Sequence, residues 1–279
     1  MTRGPGGGAL RTVSDGPVSV RSSATSPPRR TYAVGDVHGR LDLLRLALAD
    51  IAADAHDVSF RVVFLGDYVD RGPDSRGVVE LLMSLQSAGW SAVCLKGNHE
   101  DLMLRAVDSG SPHALARWLS FGGGATLRSY GLDPHEELAI PRAHLRWLSG
   151  LPLTTGDAHR VYVHAGLAPK TPVHRQSERA CLWIRERFLA AREGDVDGHV
   201  VHGHTPVWQG KPNPAEPELL AHRTNLDTGA FATGVLTVGV FDADTPGGPS
   251  KLLTIKGAPA PAQRDNAHAI APALEAGAH

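Results

Sequence analysis

The chain has 279 residues, a formal net charge of −1, 42% hydrophobic and 20% charged residues. This length allows one large α/β domain or two small ones. The near-neutral charge argues against DNA binding or another polyanion-binding role. No apolar run reaches the ~20 residues of a membrane span, and no apolar secretory signal opens the chain. We therefore expect a cytoplasmic enzyme in which Cys94 and Cys181 are reduced thiols.

Two tails are expected to flank the folded domain. Residues 1–30 are rich in Gly, Ser, Pro and Arg, and residues 257–279 are rich in Ala and Pro. Segments of this composition bury too little apolar surface to become ordered. The first could be a regulatory or partner-binding arm, but a disordered leader is the favoured interpretation. The domain itself is predicted over residues 31–256.

Three strand and helix units open this domain. Short apolar runs at residues 31–35, 61–66 and 91–95 each lead into a polar motif, and helices are predicted over residues 41–51 and 75–86. Asp36, Asp67 and Asn98 follow the three runs, and both intervals are 31 residues long. A βαβ unit needs about 30 residues. The spacing therefore predicts that these side chains meet at the carboxyl-terminal edge of a parallel sheet, where ligands bind.

The middle of the chain, residues 101–152, has a different pattern. It predicts short helices around a glycine loop at Phe121–Gly124, with a further helix through Leu145 and Trp147. The loop does not have the pattern of a phosphate-binding loop, because no strand precedes it and no Lys-Ser/Thr pair follows. Two interpretations stay open, a cap that selects substrates and a simple helical insertion.

The second half returns to β structure. Strands are predicted at residues 161–163 and 199–201, with a helix between them over residues 176–191. Residues 222–227, 234–241 and 251–255 alternate as antiparallel strands do, with a structural turn at Asp227–Gly229. A second sheet packed on the first predicts a four-layer α/β/β/α sandwich with a helical insertion.

Five short motifs carry the candidate chemistry. They are GDVHG (35–39), GDYVDRG (66–72), GNHE (97–100), HAG (164–166) and HGHT (202–205). These motifs offer oxygen and imidazole ligands without a thiolate, a set that suits two divalent cations sharing a carboxylate. Such a centre promotes displacement at phosphorus. The candidate metal ligands are Asp36, His38, Asp67, Asn98, His164 and His204.

In this order, the motifs resemble those of the calcineurin-like metallophosphoesterases. The similarity covers about residues 31–256 and is greatest to the bacterial phosphoprotein-phosphatase branch, which is related to the diadenosine tetraphosphatases. GDYVDRG and GNHE are highly specific for this family, whereas HAG and GHT alone would be weak evidence for it. The segment Trp183–Glu186 also resembles the bacterial members. The resemblance implies the α/β/β/α sandwich fold.

The resemblance also implies a role for each residue. Asp67 would bridge two metal ions, of which Asp36 and His38 would hold one, and Asn98, His164 and His204 would hold the other. Mn²⁺ is the favoured metal, with Fe or Zn²⁺ as alternatives. A hydroxide bound by both metals would attack phosphorus directly. His99 would protonate the leaving oxygen with Asp70 orienting its ring, and Arg71 and Arg185 would bind phosphoryl oxygens.

These roles predict a phosphoric ester hydrolase, with a serine/threonine protein phosphatase as the favoured activity and dual specificity that includes phosphotyrosine left open. Alternatives are a symmetrical bis(5′-nucleosyl)-tetraphosphatase, a related hydrolase of nucleotides or RNA 5′ ends, and a non-catalytic scaffold with the same fold. The expected partners are thus a phosphoprotein or a dinucleoside polyphosphate; no membrane is expected, and the oligomeric state is left open. His202 has no assigned role. Five further histidines are expected to be solvated: His56, His113, His135, His144 and His174.

Overall fold

The computed structural model describes residues 28–136, 138–206 and 215–259. Most of the two predicted tails, residues 1–27 and 260–279, therefore lies outside the described residues. Within the described ranges, the first strand begins at Arg30 and the last one ends at Lys256. Among the helices in these ranges, none is both long enough and apolar enough to cross a membrane.

The first sheet contains the three strands that the equal spacing predicts. Strands β1 (Arg30–Val34), β2 (Phe60–Phe64) and β3 (Ala92–Cys94) are parallel neighbours. Strands β9 (Val235–Asp242) and β10 (Lys251–Lys256) add two antiparallel strands on the other side of β1. The order is β10-β9-β1-β2-β3, so the loops that follow β1, β2 and β3 emerge at one edge.

Two helices connect these parallel strands. Helix α1 (Leu41–Ala55) turns its leucines toward the sheet, and helix α2 (Ser75–Ser87) begins at an Asp74 N-cap. The Asp74 carboxylate accepts a hydrogen bond from the Gly77 amide at 2.8 Å. This contact satisfies one of the amides that a helix start leaves unpaired.

The insertion consists of four helices that share the main hydrophobic core. They are α3 (Asn98–Ser109), α4 (Pro112–Ser120), α5 (Gly123–Tyr130) and α6 (Arg142–Ser149). Trp118 and Leu148 are fully buried in the same cluster as the apolar residues of α1 and α2. Burial of this kind stabilises by roughly 25 cal/mol per Å² of apolar surface. The insertion is therefore an integral part of the domain.

A second sheet lies behind the first. Its strands are β4 (Thr154–Gly156), β5 (Arg160–Val163), β6 (His199–His202), β7 (Glu218–Leu219) and β8 (Arg223–Asn225), in the order β4-β5-β6-β8-β7. It packs on the first sheet through buried residues that include Val63, Tyr162 and Phe241. A third cluster joins this sheet to helices α7 (Glu178–Trp183) and α8 (Glu186–Leu189). The layers are thus helix, sheet, sheet and helix, which confirms the predicted sandwich. The remaining elements are a 3-10 helix (Val173–Arg175) and α9 (Ala230–Thr233).

Three local predictions were wrong. The helix predicted over residues 176–191 is two short helices, because Ile184 and Arg185 have non-helical backbone angles. Strand β8 lies in the second sheet parallel to β6, whereas β9 and β10 pair in the predicted antiparallel manner. The predicted glycine loop is only a turn, since α5 already begins at Gly123. A Cβ at Gly123 would lie 2.6 Å from the Trp118 ring, so close packing requires this glycine.

Candidate metal centre

The first three motifs converge at the edge of the first sheet. Asp36 and His38 follow β1, Asp67 follows β2, and Asn98 and His99 begin helix α3 after β3. His38 Nε2 lies 3.5 Å from Asp67 Oδ2, and the His99 amide donates to Asp67 Oδ1 at 3.1 Å. All five side chains are almost completely buried. The structure therefore brings together the side chains that the equal spacing predicts to meet.

Unusual backbone conformations are concentrated in this region. Seven non-glycine residues in the described ranges have positive φ, and five of them belong to the site motifs. A left-handed conformation costs a non-glycine residue about 1–3 kcal/mol and persists only where its surroundings impose it. The strain indicates that function, rather than stability, selects these positions. The five residues are His38, Asp67, Asp70, Arg71 and His204.

The Asp67 carboxylate faces two groups of ligand atoms. Its Oδ2 lies 3.5 Å from His38 Nε2 and 3.8 Å from His99 Nε2. Its Oδ1 lies 3.4 Å from His164 Nε2. The first group is therefore His38, Asp67 and His99, and the second is Asp67, His164 and His204. The ligand atoms of each group lie within 4.8 Å of one another. Asp67 is thus the one residue common to both groups, which is the position a bridging ligand would occupy.

The second group has a surplus of lone pairs. His164 Nδ1 faces the Leu65 carbonyl at 2.9 Å and must carry the proton there, so its Nε2 presents a lone pair. That nitrogen lies 2.8 Å from Asn98 Oδ1 and 3.1 Å from His204 Nδ1. His204 can supply only one proton, and its Nε2 is buried without a hydrogen-bond partner. Converging acceptors of this kind fit a cation.

The HGHT motif reaches the first sheet through its backbone. The His204 amide donates to both carboxylate oxygens of Asp36, at 3.2 and 3.0 Å. A Cβ at Gly203 would lie 2.0 Å from Asp36 Oδ1, so only glycine permits this approach. The two sheets are therefore connected directly at the site, across 168 residues of chain.

The sequence interpretation missed Glu100. Its carboxylate is fully buried and accepts backbone amides from Asp67 at 2.9 Å, Tyr68 at 2.8 Å, Val69 at 3.3 Å and Gly97 at 2.8 Å. Hydrogen bonds to a carboxylate are about twice as strong as neutral ones. Glu100 thereby fixes the loop after β2 against the start of α3. The signal was present in the sequence, since Glu100 is the last residue of GNHE.

His99 and Asp70 form a buried pair. His99 Nδ1 lies 2.7 Å from Asp70 Oδ2. The other contacts of the Asp70 carboxylate come from the insertion, because Trp118 Nε1 donates to Oδ1 at 3.0 Å and Thr126 Oγ1 donates to the same oxygen at 2.7 Å. Burial raises the pKa of Asp70 and lowers that of His99. Both shifts have the same physical cause, since burial penalises the charged form of each group.

Two arginines lie beside the ligand groups. Arg71 donates to His38 Nε2 at 2.8 Å, and its guanidinium carbon lies 4.9 Å from the centre of the Phe231 ring. Arg185 lies in the break between α7 and α8 and donates to Thr205 Oγ1 at 3.2 Å. Neither arginine forms a salt bridge with another described residue. Both therefore have guanidinium nitrogens that an anionic ligand could engage.

Burial controls the charge of the site. It raises the pKa of Asp67 to about 7 and lowers that of His164 to about 4. Burial also raises the pKa of Asp36, and the charges of Asp227 and Asp67 raise it further. Five buried carboxylates, those of Asp36, Asp67, Asp70, Glu100 and Asp227, lie near two arginines in the described part of the site. Ionised carboxylates at this depth need additional cations nearby.

Two residues near the site have structural contacts. His202 Nδ1 lies 3.0 Å from the Gly203 carbonyl, its ring meets the Phe188 ring edge-on at 5.0 Å, and it belongs to neither ligand group. Asp227 accepts the Gly229 amide at 2.9 Å, which is the turn that the sequence predicts. The buried Asp227 carboxylate also lies close enough to Asp36 for its negative charge to raise the pKa of Asp36. The sequence did not indicate this electrostatic contribution.

Comparison with known proteins agrees with this geometry. The model of the calcineurin-like phosphoesterase family matches residues 29–232. Serine/threonine-protein phosphatase 1 of Salmonella typhimurium is 30% identical over 216 residues, which are 75% of this chain and 91% of that protein. An asymmetrical bis(5′-nucleosyl)-tetraphosphatase of Oceanobacillus iheyensis is 26% identical, over 75% of this chain and 87% of that enzyme.

Further matches support the same fold. The crystal structure of a proposed diadenosine tetraphosphatase superposes with a TM-score of 0.56 at 26% identity, covering 85% of this chain and 96% of that one. A symmetrical tetraphosphatase of Dechloromonas aromatica is 32% identical, but the match spans 54% of this chain and only 48% of that enzyme. Sequence, fold and site geometry thus lead to one conclusion: the chain belongs to the calcineurin-like phosphoesterase family and is a metallophosphoesterase.

Proposed function

We propose that this metallophosphoesterase is a protein phosphatase that acts mainly on phosphoserine and phosphothreonine side chains. The observation that carries the chemistry is the position of Asp67, whose two oxygens face two separate groups of ligand atoms. The substrate is supported by the Salmonella phosphatase, because that similarity extends over 91% of its length.

Two divalent cations fit the residues present. Asp36, His38 and Asp67 would hold one, and Asp67, Asn98, His164 and His204 the other. Carboxylate, amide and imidazole donors without a thiolate suit Mn²⁺ best, although Fe or Zn²⁺ would also be held. When bound, the cations supply Lewis-acid activation of water and of the phosphoryl group. They would also offset the excess of buried carboxylates and leave the centre attractive to a phosphate dianion.

Arg71 and Arg185 would bind the phosphoryl oxygens. The planar guanidinium offers paired donors that match phosphate oxygens. Arg71 now donates to His38 Nε2, and that nitrogen cannot accept this bond and hold a cation at once. With the cation in place, the Arg71 guanidinium would therefore be released toward the substrate.

Hydrolysis breaks the bond between phosphorus and the leaving oxygen. The oxygen of water ends on phosphorus, and the leaving oxygen gains a proton. His99 would hold that proton at Nε2, while Asp70 keeps the ring oriented through Nδ1. Trp118 and Thr126 would in turn fix the Asp70 carboxylate, so the insertion would contribute to proton transfer as well as to packing.

The second candidate is a bis(5′-nucleosyl)-tetraphosphatase. Its support is the similarity to the asymmetrical enzyme of Oceanobacillus iheyensis, which covers 87% of that protein. The same centre would cleave a pyrophosphate linkage by the same displacement. The cytoplasm, where both kinds of substrate occur, is the proposed location.

One experiment separates the two candidates. On a preparation loaded with Mn²⁺, kcat/KM is measured for a phosphoserine peptide, a phosphothreonine peptide and diadenosine tetraphosphate. We expect the phosphopeptides to be preferred. A preference for the tetraphosphate of about 100-fold, or roughly 2.7 kcal/mol of transition-state free energy, would reject the phosphatase assignment.

A further inference from the structure

Two aromatic residues at the site have no part in the proposed mechanism. Phe121 lies in the turn between α4 and α5, and Trp183 ends α7. Their ring centres are 5.8 Å apart in an edge-to-face arrangement. Both rings are half-buried and so keep exposed surface, although they pack against the main core.

Phe121 and Trp183 together form an aromatic wall that extends from the proposed acid, His99, to His204 of the second ligand group. The Phe121 ring centre lies 5.9 Å from that of His99, and the Trp183 ring centre lies 6.2 Å from that of His204. His99 would meet the leaving oxygen. The leaving-group atoms next to that oxygen would therefore contact Phe121, and the atoms after them would contact Trp183.

We propose that Phe121 and Trp183 form a leaving-group subsite for an aromatic ring bonded directly to the phosphoryl oxygen, as in phosphotyrosine. This inference rests on the proposed phosphatase function and assigns the two residues that would contact an aryl leaving group at the same site. Aromatic rings attract one another in edge-to-face geometry beyond the effect of buried area alone. The subsite would thus favour an aryl over an alkyl leaving group.

A dinucleoside polyphosphate fits this surface less well. The group beyond its leaving oxygen is another charged phosphate, which would have to lose water against the apolar face of Phe121. Arg117 contacts Trp183, with its guanidinium carbon 5.7 Å from the centre of the Trp183 ring, whereas the Phe121 ring packs against His99 and Trp183.

The wall has a rigid support. Gly122, next to Phe121, has φ of +108°, and a Cβ there would lie 2.9 Å from the Arg71 side chain. The Arg71 amide also donates to the Gly122 carbonyl at 3.2 Å. The turn that carries Phe121 is therefore fixed to the loop that carries Arg71, so the ring is held in place before a substrate binds.

The experiment compares two peptides of the same sequence, one with phosphotyrosine and one with phosphoserine. The ratio of their kcat/KM values is measured for the Mn²⁺-loaded wild type, Phe121→Leu and Trp183→Leu. Trp147→Leu is the matched control, since Trp147 is also half-buried against the main core but packs near Tyr68. We expect the ratio to fall about tenfold in the two wall variants and to stay constant in the control.

A binding measurement removes the influence of leaving-group reactivity. Phenylphosphonate and methylphosphonate are titrated into the Mn²⁺-loaded wild type by calorimetry, and we expect phenylphosphonate to bind about tenfold more tightly. Equal affinities, or an unchanged peptide ratio in both wall variants, would overturn the subsite. Cleavage of diadenosine tetraphosphate but of neither peptide would instead reject the phosphatase function on which the subsite rests.

Discussion

The edge of the first sheet and the helical insertion both contribute to the site, but in different ways. The sheet edge supplies candidate ligands from loops whose order in the chain matches the order of the strands. Beyond Asn98 at the start of α3, the described residues of the insertion supply no candidate ligand. It contributes Trp118 and Thr126, which hold Asp70 from 48 and 56 residues away.

This difference explains what the sequence could predict. Asp36, Asp67 and Asn98 are predictable because each follows a strand directly, and parallel strands place their carboxyl ends at one edge. Trp118 has the apolar pattern of an ordinary core residue, and only its Nε1 contact with Asp70 distinguishes it. Residues that act through a partner distant in sequence leave no local signal.

The largest effect is expected at the sheet edge. Asp67→Asn removes the charge that both ligand groups share, so we expect kcat toward p-nitrophenyl phosphate to fall at least ~10³-fold, or about 4 kcal/mol. The assay uses Mn²⁺-loaded protein, and metal content is measured on the same samples. Undiminished turnover in this variant, or in wild type held in excess chelator, would contradict a bridging role.

A smaller effect is expected from the insertion. Trp118→Phe removes the indole N–H that donates to Asp70 but keeps an aromatic ring in the core. Loss of a contact that orients a functional group commonly costs 10–100-fold, and we expect about tenfold in kcat toward a phosphoserine peptide. Turnover of p-nitrophenyl phosphate should change less than about twofold, because its leaving group hardly needs protonation.

The control for this variant is Trp147→Phe. Trp147 also donates its indole N–H, to Gln86 Oε1 at 2.8 Å, but it belongs to α6 and lies away from Asp70. We expect it to leave the ratio of the two turnover numbers unchanged. Equal losses on both substrates in Trp118→Phe would mean that Trp118 only supports the fold.

Two errors of the sequence analysis have a common physical cause. Arg185 was predicted on a continuous helix, but the chain turns at Ile184 and Arg185 so that Arg185 reaches Thr205. His144 was predicted to be solvated, but it is 8% exposed and lies 2.9 Å from the Tyr130 hydroxyl. In both cases a contact with a distant element overrides the local pattern, which periodicity alone does not reveal.

The smallest effect is expected at His144, inside the insertion. Burial lowers its pKa, with a minor contribution from Arg76 and an opposing one from Glu80. The unfolded chain therefore binds a proton more readily than the folded one as the pH falls below about 6.5. Stability from neutral His144 is thus present above that pH and is lost as the pH falls toward the lower folded pKa.

His144→Asn keeps a polar partner for Tyr130 but cannot titrate. Urea unfolding midpoints are compared at pH 8 and pH 5 for the wild type, for His144→Asn and for His135→Asn, which removes an exposed histidine of the same insertion. We expect the midpoint of the wild type and of His135→Asn to fall more on acidification than that of His144→Asn. Parallel losses in all three proteins would contradict a contribution of His144 and would assign the acid sensitivity to other titrating groups, such as the buried histidines of the candidate metal centre.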